Sequence, residues 1–203
     1  WIPSVAVVSS ALLLFHTLIV LLNLRGCFSG GAVALRFISF GIAAYILGAL
    51  GDAATSFHGV AAHTQFTYLD EAAKQLALYG AASTFLFGGI YFALPRITGR
   101  AWLSGGLVRA HLFLSIAGIL LLVGSLAAAG LVQSGGLADP AVAFADIAHR
   151  TRPWLASASA AQAILLLGNI SLAVNFVGTA CGLLKVAEPA SFNPSSAMEA
   201  PAP

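Results

Sequence analysis

The feature that most constrains this chain is the length of its apolar runs. Crossing the hydrocarbon core of a bilayer takes about 20 residues of helix. The sequence supplies such runs at Val5 to Leu24, Val33 to Leu50, Leu76 to Leu94, Ala110 to Val132 and Leu155 to Leu184. Composition points the same way, with 59% hydrophobic and only 8% charged residues. Soluble chains carry roughly 25% charged residues, so this surface is not built for water. The expected fold class is all-α, a polytopic bundle of about five transmembrane helices. Glycine beside Ala or Ser recurs in the runs, as in Gly41-Ile42-Ala43-Ala44 and Ala127-Ala128-Ala129-Gly130. Such faces allow close helix contacts, and they are expected to serve a partner subunit.

The breaks between runs set the organisation. The first run ends at Asn23-Leu24-Arg25-Gly26, and the second closes at Gly51-Asp52. A polar stretch, Ala53 to Gln75, holds His58, His63, Asp70, Glu71 and Lys74. Pro95-Arg96 is expected to stop the third helix, because proline removes a donor and crowds the previous turn. A loop is expected around Gly135-Gly136 and Asp139-Pro140, with the fifth helix starting at Leu155. At about 45 Å that helix is longer than the hydrocarbon core and must tilt or project. The bundle is expected over residues 1–187, and a Pro-, Ser- and Ala-rich tail over 188–203 reads as a disordered cytoplasmic extension. The sequence opens at Trp1 and its one methionine is Met198, so residues upstream are expected. The first run lacks the basic start and cleavage site of a signal peptide.

Loop charge sets the orientation. Arg25, Arg36, Arg96, Arg100, Arg109 and Lys185 fall on one side, against Lys74, Arg150 and Arg152 on the other. The richer side is expected in the cytoplasm, leaving the first residues outside and the C-terminus inside. Trp102 and Trp154 stand at helix starts, where interfacial aromatics belong. A net charge of +2 gives no reason to expect nucleic acid. Cys27 and Cys181 lie far apart and read as small buried or lipid-facing thiols. Few charges lie inside the runs, which argues against a transporter or channel. Neither a phosphate-binding glycine loop nor a nucleophile constellation is present.

One stretch is more specific. Phe66-Thr67 is followed by Tyr79-Gly80 and by Tyr91-Phe92-Ala93-Leu94-Pro95-Arg96-Ile97-Thr98-Gly99-Arg100. This resembles the tenth helix of the catalytic subunit I of heme-copper oxidases, most closely the C-family, cbb-type cytochrome c oxidases, with nitric oxide reductases next. The likeness extends outward. Trp1-Ile2-Pro3 with Asn23-Leu24-Arg25-Gly26 resembles the eighth helix, and Arg109-Ala110-His111 onward the eleventh. Phe144 to Pro153 resembles the loop before the twelfth, with Asn175 near that helix's end.

The resemblance implies a bacterial inner-membrane protein of the respiratory electron-transport chain. It also implies where heme would be held, since the family's His-x-His motif on this helix ligates both heme irons. Those positions are Ala73 and Gln75 here. Alanine cannot ligate a metal, and an amide is a poor ligand for heme iron beside imidazole. No catalytic, cofactor-binding or metal residue is therefore expected in this chain. Heme is expected in partner subunits, and the chain is expected to act as an accessory subunit of an oxidoreductase complex rather than as an enzyme by itself. The alternative is half of a split heme-copper oxygen or nitric oxide reductase, with the metal ligands on a separate chain.

Two polar candidates remain inside the runs, His16 and His111. A membrane-embedded histidine marks a functional site by default. For His16 the plainer expectation is a bundle-facing ring bonded to a carbonyl. For His111 it is capping or headgroup contact. His58, His63 and His149 read as exposed. Glu71 and Lys74, three apart, could pair across one helical turn.

Overall fold

The computed structural model describes residues 2–23 and 32–186, with side chains described within 4–181. Cys27, Arg25 and the 188–203 tail lie outside the described residues. The chain is a sequence of helices: α1 (Ile2–Asn23), α2 (Val33–Thr55), α3 (His58–Thr64) and α4 (Tyr68–Gln75). A π-helical segment (Leu76–Ser83) joins α4 to α5 (Thr84–Thr98), and α6 (Gly105–Leu137) and α7 (Phe144–Val186) follow. Four continuous spans are long and apolar enough to cross a membrane: Val33–Thr55, Tyr68–Thr98, Gly105–Leu137 and Phe144–Cys181. The apolar Val7–Asn23 stretch of α1 is shorter. The chain is thus an all-α polytopic membrane bundle.

The core lies between α6 and α7. Ile119, Leu122 and Leu126 of α6 interlock with Ala158, Ala161 and Leu165 of α7, and Ala72 of α4 closes the cluster. Glycines permit the approach. A Cβ on Gly118 would stand 2.7 Å from Leu165 Cδ2, and one on Gly136 would stand 2.7 Å from Ile147 Cγ1. The Ser125 and Ser157 hydroxyls bond across the same seam at 2.9 Å. In hydrocarbon, close packing and such bonds replace the hydrophobic drive that operates in water.

Of the small-residue faces, Gly41, Ala44, Ala129 and Gly130 are buried within this chain, while Ala43 is exposed. A Cβ on Gly41 would meet Thr84 Oγ1 and Phe85, and one on Gly80 would meet Ala44. Gly130 of α6 lies so close to the start of α4 that a Cβ there would stand 2.3 Å from the Leu69 nitrogen. Any side chain at Gly130 would collide with backbone, which cannot swing aside as a flexible side chain can.

Three expected boundaries move. The third span runs past Pro95 to Thr98 and ends at Gly99, whose φ of 65° is left-handed. Proline there leaves the Tyr91 carbonyl without its helical donor. The next carbonyls of the turn are served by side chains, Arg96 Nη1 donating to Phe92 O at 2.8 Å and Thr98 Oγ1 to Leu94 O at 2.8 Å. Gly135-Gly136 is helical, because Gly136 lets Ile147 pack against α6. Phe144 to Pro153 is not a loop but the beginning of α7, with Pro153 inside the helix. His149, Arg150 and Arg152 are exposed there, so solvent can reach the carbonyl that Pro153 leaves open.

Candidate functional site

Two polar regions sit at opposite parts of the Tyr68–Thr98 span. The first surrounds Ala73 and Gln75. Thr67 caps α4, its hydroxyl accepting from Leu69 N at 3.3 Å and donating to Thr64 O at 2.6 Å. Phe66, just before it, is 93% exposed and holds a positive φ of 61°, a backbone region costly for an aromatic residue. From α6, Gln133 Oε1 accepts from Tyr68 N at 3.0 Å, so a neighbouring helix satisfies one of the free donors at the start of α4.

Within α4 the charges pair differently from expectation. Lys74 Nζ bonds Asp70 Oδ2 at 2.8 Å, one turn back at i, i+4. Glu71 is left to Gln75, whose Nε2 donates to Glu71 Oε1 at 2.6 Å. The other amide atom, Gln75 Oε1, is buried with no hydrogen-bond partner among the described residues. Ala73 faces the opposite way. It lines a cavity of about 400 Å³ together with Asp52, Thr55, Thr64, Gln65 and Asp70.

Immediately after Gln75 the helix widens into the π-helical segment Leu76–Ser83. Such segments are rare and gather at functional sites. Inside it, Ser83 Oγ bonds back to Leu78 O at 2.9 Å, five residues away. Thr84, fully buried at its end, bonds Ala81 O at 3.1 Å and also Gly80 O.

The second region is an aromatic cluster between α2, α5 and α6. His111 is fully buried, not at the surface as a cap. The cap of α6 is Ser104, whose hydroxyl accepts from Leu107 N. His111 Nδ1 lies 2.9 Å from Tyr91 Oη. Phe37, also fully buried, packs its ring 5.4 Å from Tyr91 and 5.1 Å from His111, and Phe87 meets the imidazole edge-on at 4.6 Å. Trp102 lies 4.8 Å from Tyr91, half-buried in the bundle and not only at an interface. His111 Nε2 has no partner among the described residues.

The α5–α6 turn that carries Trp102 is clamped from α7. Buried Asn175 accepts from Ser104 N at 3.0 Å and donates to Ser104 O at 3.1 Å. Thr179 Oγ1 accepts from Leu103 N at 3.2 Å. Asn175 was legible only by its resemblance, and Phe37 gave no signal beyond its place in an apolar run.

The remaining candidates stay apart. His16 is exposed on α1, and its Nδ1 lies 3.0 Å from Tyr45 Oη, a side-chain partner in place of the expected carbonyl. His58, His63 and His149 are exposed, and Cys181 is a free, exposed thiol. Trp154 is 42% exposed on α7.

The Ala73–Gln75 region does not fit a heme. A methyl carries no lone pair, and the Gln75 amide, its Nε2 donating to Glu71, offers heme iron only a carbonyl oxygen, a poor ligand beside imidazole. Fold and site together define an integral membrane helix bundle in which Gln133, Asn175, Thr179 and the Ser125–Ser157 pair tie helices and turns to one another. A profile of the cytochrome c and quinol oxidase polypeptide I family matches residues 1–164. The chain belongs to that family, and is a heme-copper oxidase subunit I-like protein of the multi-pass membrane class. Comparison with curated proteins gives no match.

Proposed function

We propose that this chain is a heme-free accessory subunit of a membrane respiratory complex, built on the scaffold of oxidase polypeptide I. The observation that carries the reading is the pair Ala73 and Gln75, which stand where the resembling cbb-type helix would present two imidazoles. The surroundings are consistent with a helix adapted to life without porphyrin. Glu71 holds the Gln75 amide, and Lys74 and Asp70 close an ion pair over the outer turn. The aromatic cluster and the Asn175 clamp keep the rest of the bundle rigid enough to pack beside a heme-bearing neighbour. In this reading the chain lies in a bacterial inner membrane, with α1 starting outside and the C-terminus in the cytoplasm.

Purification of the complex through a tag on this chain tests the reading. Pyridine hemochrome spectra and subunit mass spectrometry are expected to place heme on co-purifying chains. After separation of the subunits, none is expected on this one. A neighbouring chain carrying copper ligands, with iron between it and residues 73–75, would instead establish the split-reductase alternative. Recovery of the chain alone and monomeric would remove the accessory role altogether.

A further inference from the structure

At the end of the bundle where α2 starts, α5 finishes and α6 begins, positive charge collects without a counter-charge. Arg36, Arg96, Arg100 and Arg109 stand there, exposed or half-buried. The carboxylates of the described residues, Asp52, Asp70, Glu71, Asp139 and Asp146, all lie toward the other end. The one ion pair among the described residues joins Lys74 to Asp70, so none of these arginines has one. The segment that leads into α2, Leu24 to Gly31, brings Arg25 and no carboxylate.

The same end holds a slot of about 560 Å³ between α2 and α5. Val33 and Ile38 of α2 form one wall, Tyr91 and Phe92 of α5 the other, and Trp102 stands beside them from the α5–α6 turn. Tyr91 lies seven residues before the end of α5 at Thr98, so the slot reaches about 10 Å inward from the helix end. Its inner end closes where Gly88 brings α5 against α2, since a Cβ there would stand 2.7 Å from Ile38 Cγ1. Arg96 lines the slot at its outer rim. Its guanidinium rests 3.5 Å over the Phe92 ring, and Nη1 donates to Phe92 O at 2.8 Å. That spends one of five N–H donors and pins the fork at headgroup level. An apolar trough with a fixed cation at its rim is the chemistry by which basic pockets between membrane helices take anionic headgroups.

We propose that this slot binds one anionic phospholipid, its phosphate on the Arg96 guanidinium and the upper part of an acyl chain along Ile38, Tyr91 and Phe92. Two segments of the chain itself fit less well. Leu24 to Gly31 would add positive charge to positive charge. The 188–203 tail carries Glu188 and Glu199, but Pro189, Pro194, Pro201 and Pro203 interrupt helical bonding, and backbone with open polar groups is costly in hydrocarbon. The lipid site does not rest on the accessory-subunit reading, and its failure would leave that reading untouched.

The test places the complex purified through this chain in phosphatidylcholine vesicles with a trace of photoactivatable lipid, either phosphatidylglycerol or phosphatidylcholine. Each carries a diazirine in the upper part of one acyl chain, and mass spectrometry maps the label. Ile170 and Val174, exposed on α7 and held near the same end by the Asn175–Ser104 bond, report bulk lipid. Phosphatidylglycerol is expected to label Val33, Ile38 and Phe92 about fivefold more than phosphatidylcholine does, the factor that one arginine near an anionic headgroup supplies. The two lipids are expected to label Ile170 equally. Arg96→Gln is expected to bring the slot ratio down to that reference, while Arg152→Gln, at the opposite end of α7, leaves it unchanged. Circular dichroism and the retained Ile170 label show that each variant is folded. Equal labelling of the slot by both lipids would overturn the proposal, leaving ordinary bilayer lipid there. A preference that survives Arg96→Gln would overturn it too, by assigning the effect to the basic surface at large. A slot that neither lipid labels, beside a labelled Ile170, would place protein in it instead and equally end the proposal.

Discussion

The two polar regions of the Tyr68–Thr98 span solve opposite problems. Around Tyr91 and His111, aromatic rings from three helices close over the imidazole, and Asn175 ties down the adjoining turn from a fourth. Around Ala73 and Gln75 the α4 side chains bond one another, Gln133 of α6 takes the Tyr68 N–H, the Gln75 amide oxygen has no partner among the described residues, and a cavity opens at the alanine. The contrast teaches where structure is invested. The aromatic end is over-determined by packing, as a scaffold requires. At the Ala73 end the charged and amide side chains bond within α4, while Gly130, Gln133 and the cluster around Ala72 fasten that helix to its neighbours.

Substitutions can break or sharpen that contrast. The largest effect is expected at Phe37→Ala, which empties a fully buried ring position touching Tyr91, Phe87 and His111. It should cost about 3–5 kcal/mol, read by unfolding in mixed micelles. Asn175→Ala follows, at about 2 kcal/mol, because it strands the Ser104 N–H and leaves the Ser104 carbonyl with Val108 N alone. Tyr91→Phe should cost about 1 kcal/mol by leaving His111 Nδ1 unpaired at unchanged ring packing. At the other end, Gln75→Leu is expected to be neutral or to stabilise by up to about 1 kcal/mol, since it removes a buried acceptor that has no partner among the described residues. A loss at Gln75 equal to that at Asn175 would erase the distinction between the two regions.

Much of this was readable in advance for a simple reason. A run of apolar side chains as long as a bilayer is thick permits little besides a spanning helix. The existence of the four long spans follows from that, and the likeness of Tyr91 through Arg100 to the oxidases agrees with the family match over residues 1–164. What could not be read depends on contacts between helices. Gly135-Gly136 looks like a loop until Ile147 is placed against it, and Pro153 looks like a start until α7 is seen to begin at Phe144. His111 illustrates the same limit. Its place near a helix start suggested a surface role, and only the approach of Phe37 and Phe87 from two other helices buries it. The widening of the helix at Leu76 leaves no mark on a string of Leu, Ala and Gly.

The unexpected length of α7 has a consequence of its own. Its 43 residues extend about 65 Å, roughly twice the thickness of the hydrocarbon core. Even when steeply inclined, such a rod cannot be hidden by lipid. A stretch of it must stand clear as a post above the headgroups, and the exposed His149, Arg150 and Arg152 lie on that stretch. The bundle therefore offers surface in two settings, among the lipid tails and in water.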